Sequence, residues 1–481
     1  MIRERIDGWV DPARAFVHVF GSERYAFWLD TGAGATSGTS RMGAAANGAS
    51  VLLASVADGT KGTDADPDWA GAGTVLRLDP RTGRIEPERR DLFDLLRAGM
   101  RTNTGAGWVG WFGYEFSAAA CGSPVAATAS APPAAAWMRV DRFVSFDHAM
   151  GTVTVCADGD AGDLDDGRAW VAATARILHA MVGDHRDAAD GDAGESPAES
   201  AEASARAMAW RHDDAAYLAM IDVCLQRIAD GDAYQLCLTN TATTRASLDP
   251  VRTYLTLRAS SPTGNGGLLR FGDWALASAS PEQFLAVRAD GTVQTRPIKG
   301  TRPRGDTESD DRRLRAELAS DEKERAENLM IVDLMRNDLG RVARPGSVAV
   351  TELLAVESYR QVHQLVSAVT ARVAAGLDAL DVVRSCFPAG SMTGAPKLAA
   401  MRILHSLEDG PRGLYAGSFG RIDDDGSLEL AMVIRSIVIG PETATIGAGG
   451  GITALSDPAF ELAEVAIKAR ALIAAVEESI L

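Results

Sequence analysis

Apolar positions along the chain follow two rhythms. In the second half, Tyr217, Met220, Ile221, Cys224 and Ile228 recur with a helical period, which predicts a helix over 213–229 ended by Gly231. Leu462, Val465, Ala466, Ala469, Leu472, Ile473 and Val476 form a similar stripe, which predicts a closing helix over 459–478. A third, longer helix is predicted over 308–339. Between them the rhythm shortens: 234–238, 268–271, 275–279, 284–287 and 293–298 read as strands. In the first 180 residues short apolar runs alternate with Gly, Asp and Pro. There Val17–Phe20, Val51–Val56 and Phe143–Phe146 read as strands, and 107–114 as a strand or corner whose glycines let large rings pack. No fixed-period repeat is present.

From about Gly183 to Ala207 the pattern stops. The residues are Asp, Ala, Gly, Glu, Ser and Pro, with almost nothing to bury, as in a disordered acidic linker. This divides the chain into an N-terminal region (1–182), a linker (183–208) and a C-terminal domain (209–481). At 481 residues the chain exceeds what one simple core holds. No apolar run reaches the ~20 residues of a membrane span. The first twelve residues do not read as a secretory signal. Cys121, Cys156, Cys224, Cys237 and Cys386 are scattered, without a C-x-x-C pair, as buried thiols are in a reducing cytoplasm. The formal net charge is −17, which argues against nucleic acid or an anionic membrane as partner. An anionic ligand needs a local cluster of cations or backbone N–H groups.

Three segments supply such chemistry. In 294–305, Arg296, Lys299, Arg302 and Arg304 crowd a strand end. Lys299 sits between Ile298 and Gly300, and desolvation there, helped by Arg296 and Arg302, would favour a neutral, nucleophilic amine. The alternative is a solvated basic loop. Glu324 and Glu327 share one helix face, as do Glu461 and Glu464. Four helical carboxylates suit a hard cation such as Mg²⁺. The same spacing also serves solvated helices, with Glu464 free to pair with Lys468. Gly390–Lys397 and Gly447–Gly451 are glycine-rich, able to cradle a carboxylate on N–H groups or to form ordinary turns. Neither is a Walker loop.

The stretches PIKGTRPRG (297–305), DEKERAENLMIVDLMRNDLGRV (321–342), FPAGSMTGAPK (387–397) and GAGGGITALSDPAFELAEVAIKARAL (447–472) resemble the chorismate-utilising enzymes over most of 210–476. VGWFGYEF (109–116) resembles the family's N-terminal region more weakly. The resemblance implies an α/β (α+β) fold: one body of two packed antiparallel sheets with outer helices and the active site between them. Within the family, water-using members place a Lys base where Gln235 stands here. Anthranilate synthases read PIAGT where this chain reads PIKGT, the mark of the aminodeoxychorismate synthase branch.

That branch implies an ammonia-dependent conversion of chorismate to 4-amino-4-deoxychorismate, on the way to 4-aminobenzoate and folate. It implies Glu327 and Glu464 as direct Mg²⁺ ligands, with Glu324 and Glu461 supporting them through water. Tyr415, Arg435 and the N–H groups of Gly449, Gly450 and Gly451 would hold the enolpyruvyl carboxylate, with Lys468 beside them. Lys299 would form an adduct at C2, Glu282 would act as general acid and base, and His363 and Thr393 would lie near the ring. None of the five cysteines stands in a Gly-x-Cys-x-Gly elbow, so ammonia would come from a separate glutamine amidotransferase subunit. Where tryptophan-regulated members carry Leu-Leu-Glu-Ser, this chain reads Phe27-Trp28-Leu29-Asp30-Thr31, which argues against tryptophan feedback.

Overall fold

Asp11 caps its helix by accepting from the Arg14 N–H, and Pro12 takes the first helical position, where its missing N–H costs nothing. These signals carry Pro12–Phe20 into a helix, so Val17–Phe20 is not the strand its β-branched composition suggests. The computed structural model describes residues 1–45, 50–55, 74–100, 107–126, 131–158, 164–183, 208–359 and 362–480. Most of the linker segment (184–207) and residue 56 lie outside them.

Among the described residues two antiparallel sheets of twelve strands each form the frame. The first runs, in spatial order, Ile2–Ile6, Thr152–Ala157, Arg142–Asp147, Thr39–Ala44, Tyr25–Asp30, Asn265–Phe271, Trp274–Ser280, Ser436–Ile439, Ala444–Ile452, Gln235–Thr244 and Ala209–Trp210. Gly394–Ala395 adds to Gln235–Thr244. The second runs Ile298–Pro303, Val362–Arg372, Thr292–Thr295, Gln283–Val287, Leu428–Met432, Ser418–Asp423, Gly107–Phe112, Ala135–Val140, Val51–Ala54, Val75–Leu78 and Ile85–Glu88. Ala349–Ser358 adds to Val362–Arg372.

Both sheets are built from both halves of the chain, so 1–182 and 209–481 do not form separate sheet bodies. Trp28 pairs in register with Leu268, and Trp111 with Phe419. Buried rings fill the space behind these seams: Phe112 lies 4.7 Å from Trp137 and 5.1 Å from Phe116, centroid to centroid. Gly110 is required where the backbones close up, because a Cβ there would stand 2.0 Å from the Ala136 carbonyl oxygen.

Helices cover the outside. Asp214–Ala229 and Pro458–Ile480 match the helical stripes, and the latter buries Val465, Ala469, Leu472, Ala475 and Val476. Each large aliphatic side chain buried this way contributes ~1.5–3 kcal/mol. The predicted helix over 308–339 is two: Glu308–Ser320 and Glu322–Gly340. Asp321 takes extended backbone between them and caps the second through the Glu324 N–H at 3.0 Å. The predicted strand over 293–298 likewise divides at Arg296-Pro297, as Pro disfavours a continuous ladder. No helix among the described residues is long and apolar enough to cross a membrane.

Candidate active site

Strand Ile298–Pro303 presents Lys299 from an irregularity in its pairing with Val362–Arg372, between Ile298 and Thr301. The bulge turns the Lys299 ammonium inward, 3.3 Å from a Glu327 carboxylate oxygen. Glu327 is buried on helix Glu322–Gly340. On the first sheet, Gly451 faces the same point: a Cβ there would lie 2.5 Å from Gln235 Nε2, 3.0 Å from Glu327 Oε2 and 3.2 Å from Lys299 Nζ. The glycine run thus leaves the room in which lysine, glutamate and glutamine meet. Gly447 does the same for Tyr415, whose ring would lie 2.1 Å from an added Cβ.

The last helix brings the second acid pair. A Cβ on Gly450 would lie 2.9 Å from Glu461 Oε2 and 3.9 Å from Glu464 Oε2. Lys323, one turn before Glu327, bridges the two helices. It donates to Glu461 Oε1 at 2.6 Å and stands 3.7 Å from Glu327. Lys468 pairs with Glu464 at 2.7 Å and donates to the Gly449 carbonyl at 2.8 Å. Glu324 faces Gly300 and lies 3.6 Å from Arg302. Sequence reasoning passed over Lys323, although its i,i+4 spacing to Glu327 was visible.

Electrostatics follow from this crowding. Burial disfavours the Lys299 ammonium, but Glu327, with Cys237, Glu282 and Glu464, outweighs burial and raises its pKa. The expectation of a neutral resting amine is therefore corrected. Arg296 and Arg302 are engaged elsewhere: Arg296 pairs with Glu352 and Glu357, and Arg302 with Glu317, Asp321 and Glu324. Burial raises the Glu282 carboxyl to about 7, against the opposing pull of Lys299, the Ser391 hydroxyl at 3.2 Å, the Ile298 N–H and Lys468. A carboxyl poised there exchanges protons readily near neutral pH. Burial also opposes the Glu464 charge, but Lys468, Lys323 and Lys299 outweigh it and hold its pKa down.

Some groups are left without partners. Both polar atoms of the fully buried Gln235 amide, and Glu461 Oε2, make no hydrogen bond among the described residues. Arg435 has left-handed backbone (φ 52°), its carbonyl accepts from the Ala279 N–H, and its guanidinium makes no ion pair or hydrogen bond to a described residue. Strain and unpaired polar groups of this kind collect where a ligand completes the structure.

As to metal, no three His, Cys, Asp or Glu side chains among the described residues are disposed to hold an ion in this arrangement. The donor chemistry nevertheless fits a hard divalent cation. All donors are carboxylates, Glu461 Oε2 is buried and unpartnered, and the spaces between the acids hold the ammonium groups of Lys299 and Lys323.

Two expected residues behave differently from the rest. His363 is buried, and its ring nitrogens meet Ser358 Oγ at 2.8 Å and Asp311 at 3.0 Å, tying its strand to helix Glu308–Ser320. Thr393 is buried beside Cys237, whose N–H donates to its carbonyl. Its own hydroxyl donates back to Ala389 and Gly390. Lys397, in the same glycine-rich motif, serves the fold: its ammonium binds Asp338 and the carbonyls of Cys386 and Pro388. Away from this site, Phe27 and Leu29 line a small cavity between the sheets with Arg41, Trp108, Phe143 and Arg421.

Known proteins bear on this geometry. The aminodeoxychorismate synthase of Streptomyces griseus is 39% identical over 96% of this chain, which spans 62% of that protein's length. Anthranilate synthase component 1 of Streptomyces coelicolor is 38% identical over 86% of this chain and 83% of its own. The crystal structure of anthranilate synthase component I from Streptococcus pneumoniae superimposes with a TM-score of 0.71 at 24% identity, over 96% of this chain and 97% of that one, so the fold is shared. The family model for the chorismate binding enzyme matches residues 60–474, the span that carries every group gathered around Lys299. The protein accordingly belongs to the chorismate-binding enzyme family.

Proposed function

We propose that the chain is the synthase component of an aminodeoxychorismate synthase, converting chorismate and ammonia to 4-amino-4-deoxychorismate for 4-aminobenzoate and folate synthesis. One observation carries the reading: a half-buried lysine, Lys299, faces Glu327 in a site whose other wall offers Gln235 rather than a second lysine. An amine there can act as a nucleophile, whereas an amide cannot deprotonate water. The 39% identity to the Streptomyces griseus enzyme supports it.

In this reading the enolpyruvyl carboxylate meets Arg435, Tyr415 and the N–H groups of Gly449–Gly451. Mg²⁺, held by Glu327 and Glu464 with Glu324 and Glu461 behind them, would supply charge for the ring carboxylate and the departing hydroxyl. Lys299 passes its proton to the Glu282 carboxylate before it attacks. Its nitrogen then bonds to C2 as the C4 hydroxyl leaves, protonated to water by Glu282. Ammonia adds at C4 and the C2–nitrogen bond breaks, returning the lysine. The sum is chorismate plus ammonia giving aminodeoxychorismate plus water, divided into two easier displacements. Ammonia would come from a glutamine amidotransferase partner.

Anthranilate synthase component I is the second reading, favoured by the Streptomyces coelicolor relative, which this chain matches over 83% of its length. Incubating the purified chain with chorismate, Mg²⁺ and ammonium salt, followed by mass spectrometry, separates the two. Aminodeoxychorismate, convertible to 4-aminobenzoate by an added lyase, is the expected product. Fluorescent anthranilate as the main product would overturn the assignment.

A further inference from the structure

Behind the catalytic groups lies a second buried charge cluster centred on Arg412. Its guanidinium and the Glu408 carboxylate are almost wholly enclosed, with side chains 2% and 4% exposed. Nε and Nη2 of Arg412 donate to Glu408 at 2.8 and 2.7 Å, Nη1 donates to the Met392 carbonyl at 2.7 Å, and Nη2 also reaches the Cys237 carbonyl at 2.9 Å. The guanidinium stacks 4.3 Å from the Tyr114 ring centre. Glu408 in turn accepts from the N–H and hydroxyl of Thr239, both at 2.9 Å, and the Arg412 N–H donates to Glu115 at 2.8 Å.

A buried ion pair is a poor way to gain stability, because desolvation offsets the attraction. What this one does is geometric. A planar fork of donors fixes several acceptors at once, which a lysine cannot do. The two carbonyls it grips belong to the two segments that meet at the site. Met392 lies between Ser391, which donates to Glu282, and Thr393, whose carbonyl accepts from the Cys237 N–H. Cys237 lies two residues from Gln235 on the same strand face, and its thiol is among the groups that interact electrostatically with Lys299.

We propose that Arg412, oriented by Glu408, is a positioning residue for the amination chemistry: it locks the 390–393 loop onto strand Gln235–Thr244, so that Ser391 meets Glu282 and Gln235 stays in place beside Gly451, where Lys299 also approaches. It touches neither substrate nor reacting atoms. The catalytic half of this proposal rests on the reading given above; the locking half does not.

The test compares wild type, Arg412→Lys and the double variant Glu408→Gln/Arg412→Met. The double variant removes both buried charges and keeps an acceptor for the Thr239 N–H, so neither charge is stranded. Two readouts are taken at saturating ammonium salt and Mg²⁺: steady-state kinetics with chorismate, and hydrogen exchange of peptides spanning 387–396, with the 214–229 helix as reference. In the double variant, exchange in 387–396 should rise at least tenfold with the reference unchanged. kcat should fall about 10- to 100-fold with KM for chorismate within about threefold, as expected for misplaced groups. Arg412→Lys should recover part of kcat. Unchanged loop exchange, or a full kcat in the double variant, would overturn the proposal, as would a loss confined to KM. If wild type itself releases no aminated product, the function proposed above falls, and the exchange data alone still decide whether Arg412 holds the loop.

Discussion

The protein holds two buried charge clusters that share strand Gln235–Thr244, and they are built on opposite terms. Around Arg412 the polar atoms are spent: the guanidinium, Glu408, Thr239 and the carbonyls of Met392 and Cys237 satisfy one another. Around Lys299 they are not. Among the described residues Gln235 has no partner for either amide atom and Glu461 keeps one oxygen unpaired, and Glu282 is buried with its carboxyl raised to about 7 by that burial. A satisfied network rigidifies, and an unsatisfied one is costly until something binds. The pairing teaches how the fold divides labour: one cluster gives geometry and the other gives reactivity.

The comparison can be broken most severely at the acids. Glu327→Gln or Glu464→Gln, or EDTA, should abolish turnover, by about a thousandfold or more if several kcal/mol of cation stabilisation is lost. Circular dichroism should show the fold intact, and near wild-type activity in a variant carrying both Glu327→Gln and Glu464→Gln would remove the metal assignment. Lys299→Ala comes next. kcat for the 4-amino product should fall about 100-fold or more with KM little changed. Intact-protein mass spectrometry of trapped wild type should place the adduct on Lys299. Full activity in Lys299→Ala would exclude the covalent route.

On the other side of the comparison, Arg412→Met alone should destabilise by ~3–5 kcal/mol, since it strands the Glu408 charge. The double change with Glu408→Gln should cost much less, by urea unfolding. A single variant as stable as wild type would show that the cluster is not tightly held. Glu282 gives a smaller and pH-dependent effect. Its carboxyl titrates near its ordinary 4.5 when unfolded and about 7 when folded, so the native state binds the extra proton between those values. Stability from this group is therefore lost as pH rises from about 4.5 to 7. Glu282→Gln should unfold like wild type below about pH 4.5 and be more stable by ~3 kcal/mol above pH 7. Equal stability at both would mean that Glu282 ionises freely. Smallest, Gln235→Leu should stabilise by ~1–2 kcal/mol because it removes an unsatisfied amide, while lowering turnover. A destabilised Gln235→Leu would mean that the amide is satisfied in the unliganded protein.

Much of this was legible in the chain. The stripe over 459–478, the acid pairs at 324/327 and 461/464, and the glycines at 447–451 are local patterns, and periodicity reads local patterns. The long motifs named the family. Local reading failed where competing local signals met. Asp321, a strong cap, cut one predicted helix in two, and Asp11-Pro12 drew Val17–Phe20 into a helix.

Other features have no local signal. That strands from 1–182 and 209–481 share both sheets depends on pairings more than 200 residues apart, such as Trp28 with Leu268. His363 turns to Asp311, and Lys397 to Asp338, for reasons set by neighbouring helices. The charge state of Lys299 was misjudged because its nearest cations in sequence bind elsewhere, while Glu327, 28 positions on, binds it. Sequence by itself determined which chemical groups the protein owns and the order in which they occur. Only the tertiary structure decided which charges face one another and which are left unpaired, because Coulomb energies and desolvation depend on distance and burial in space.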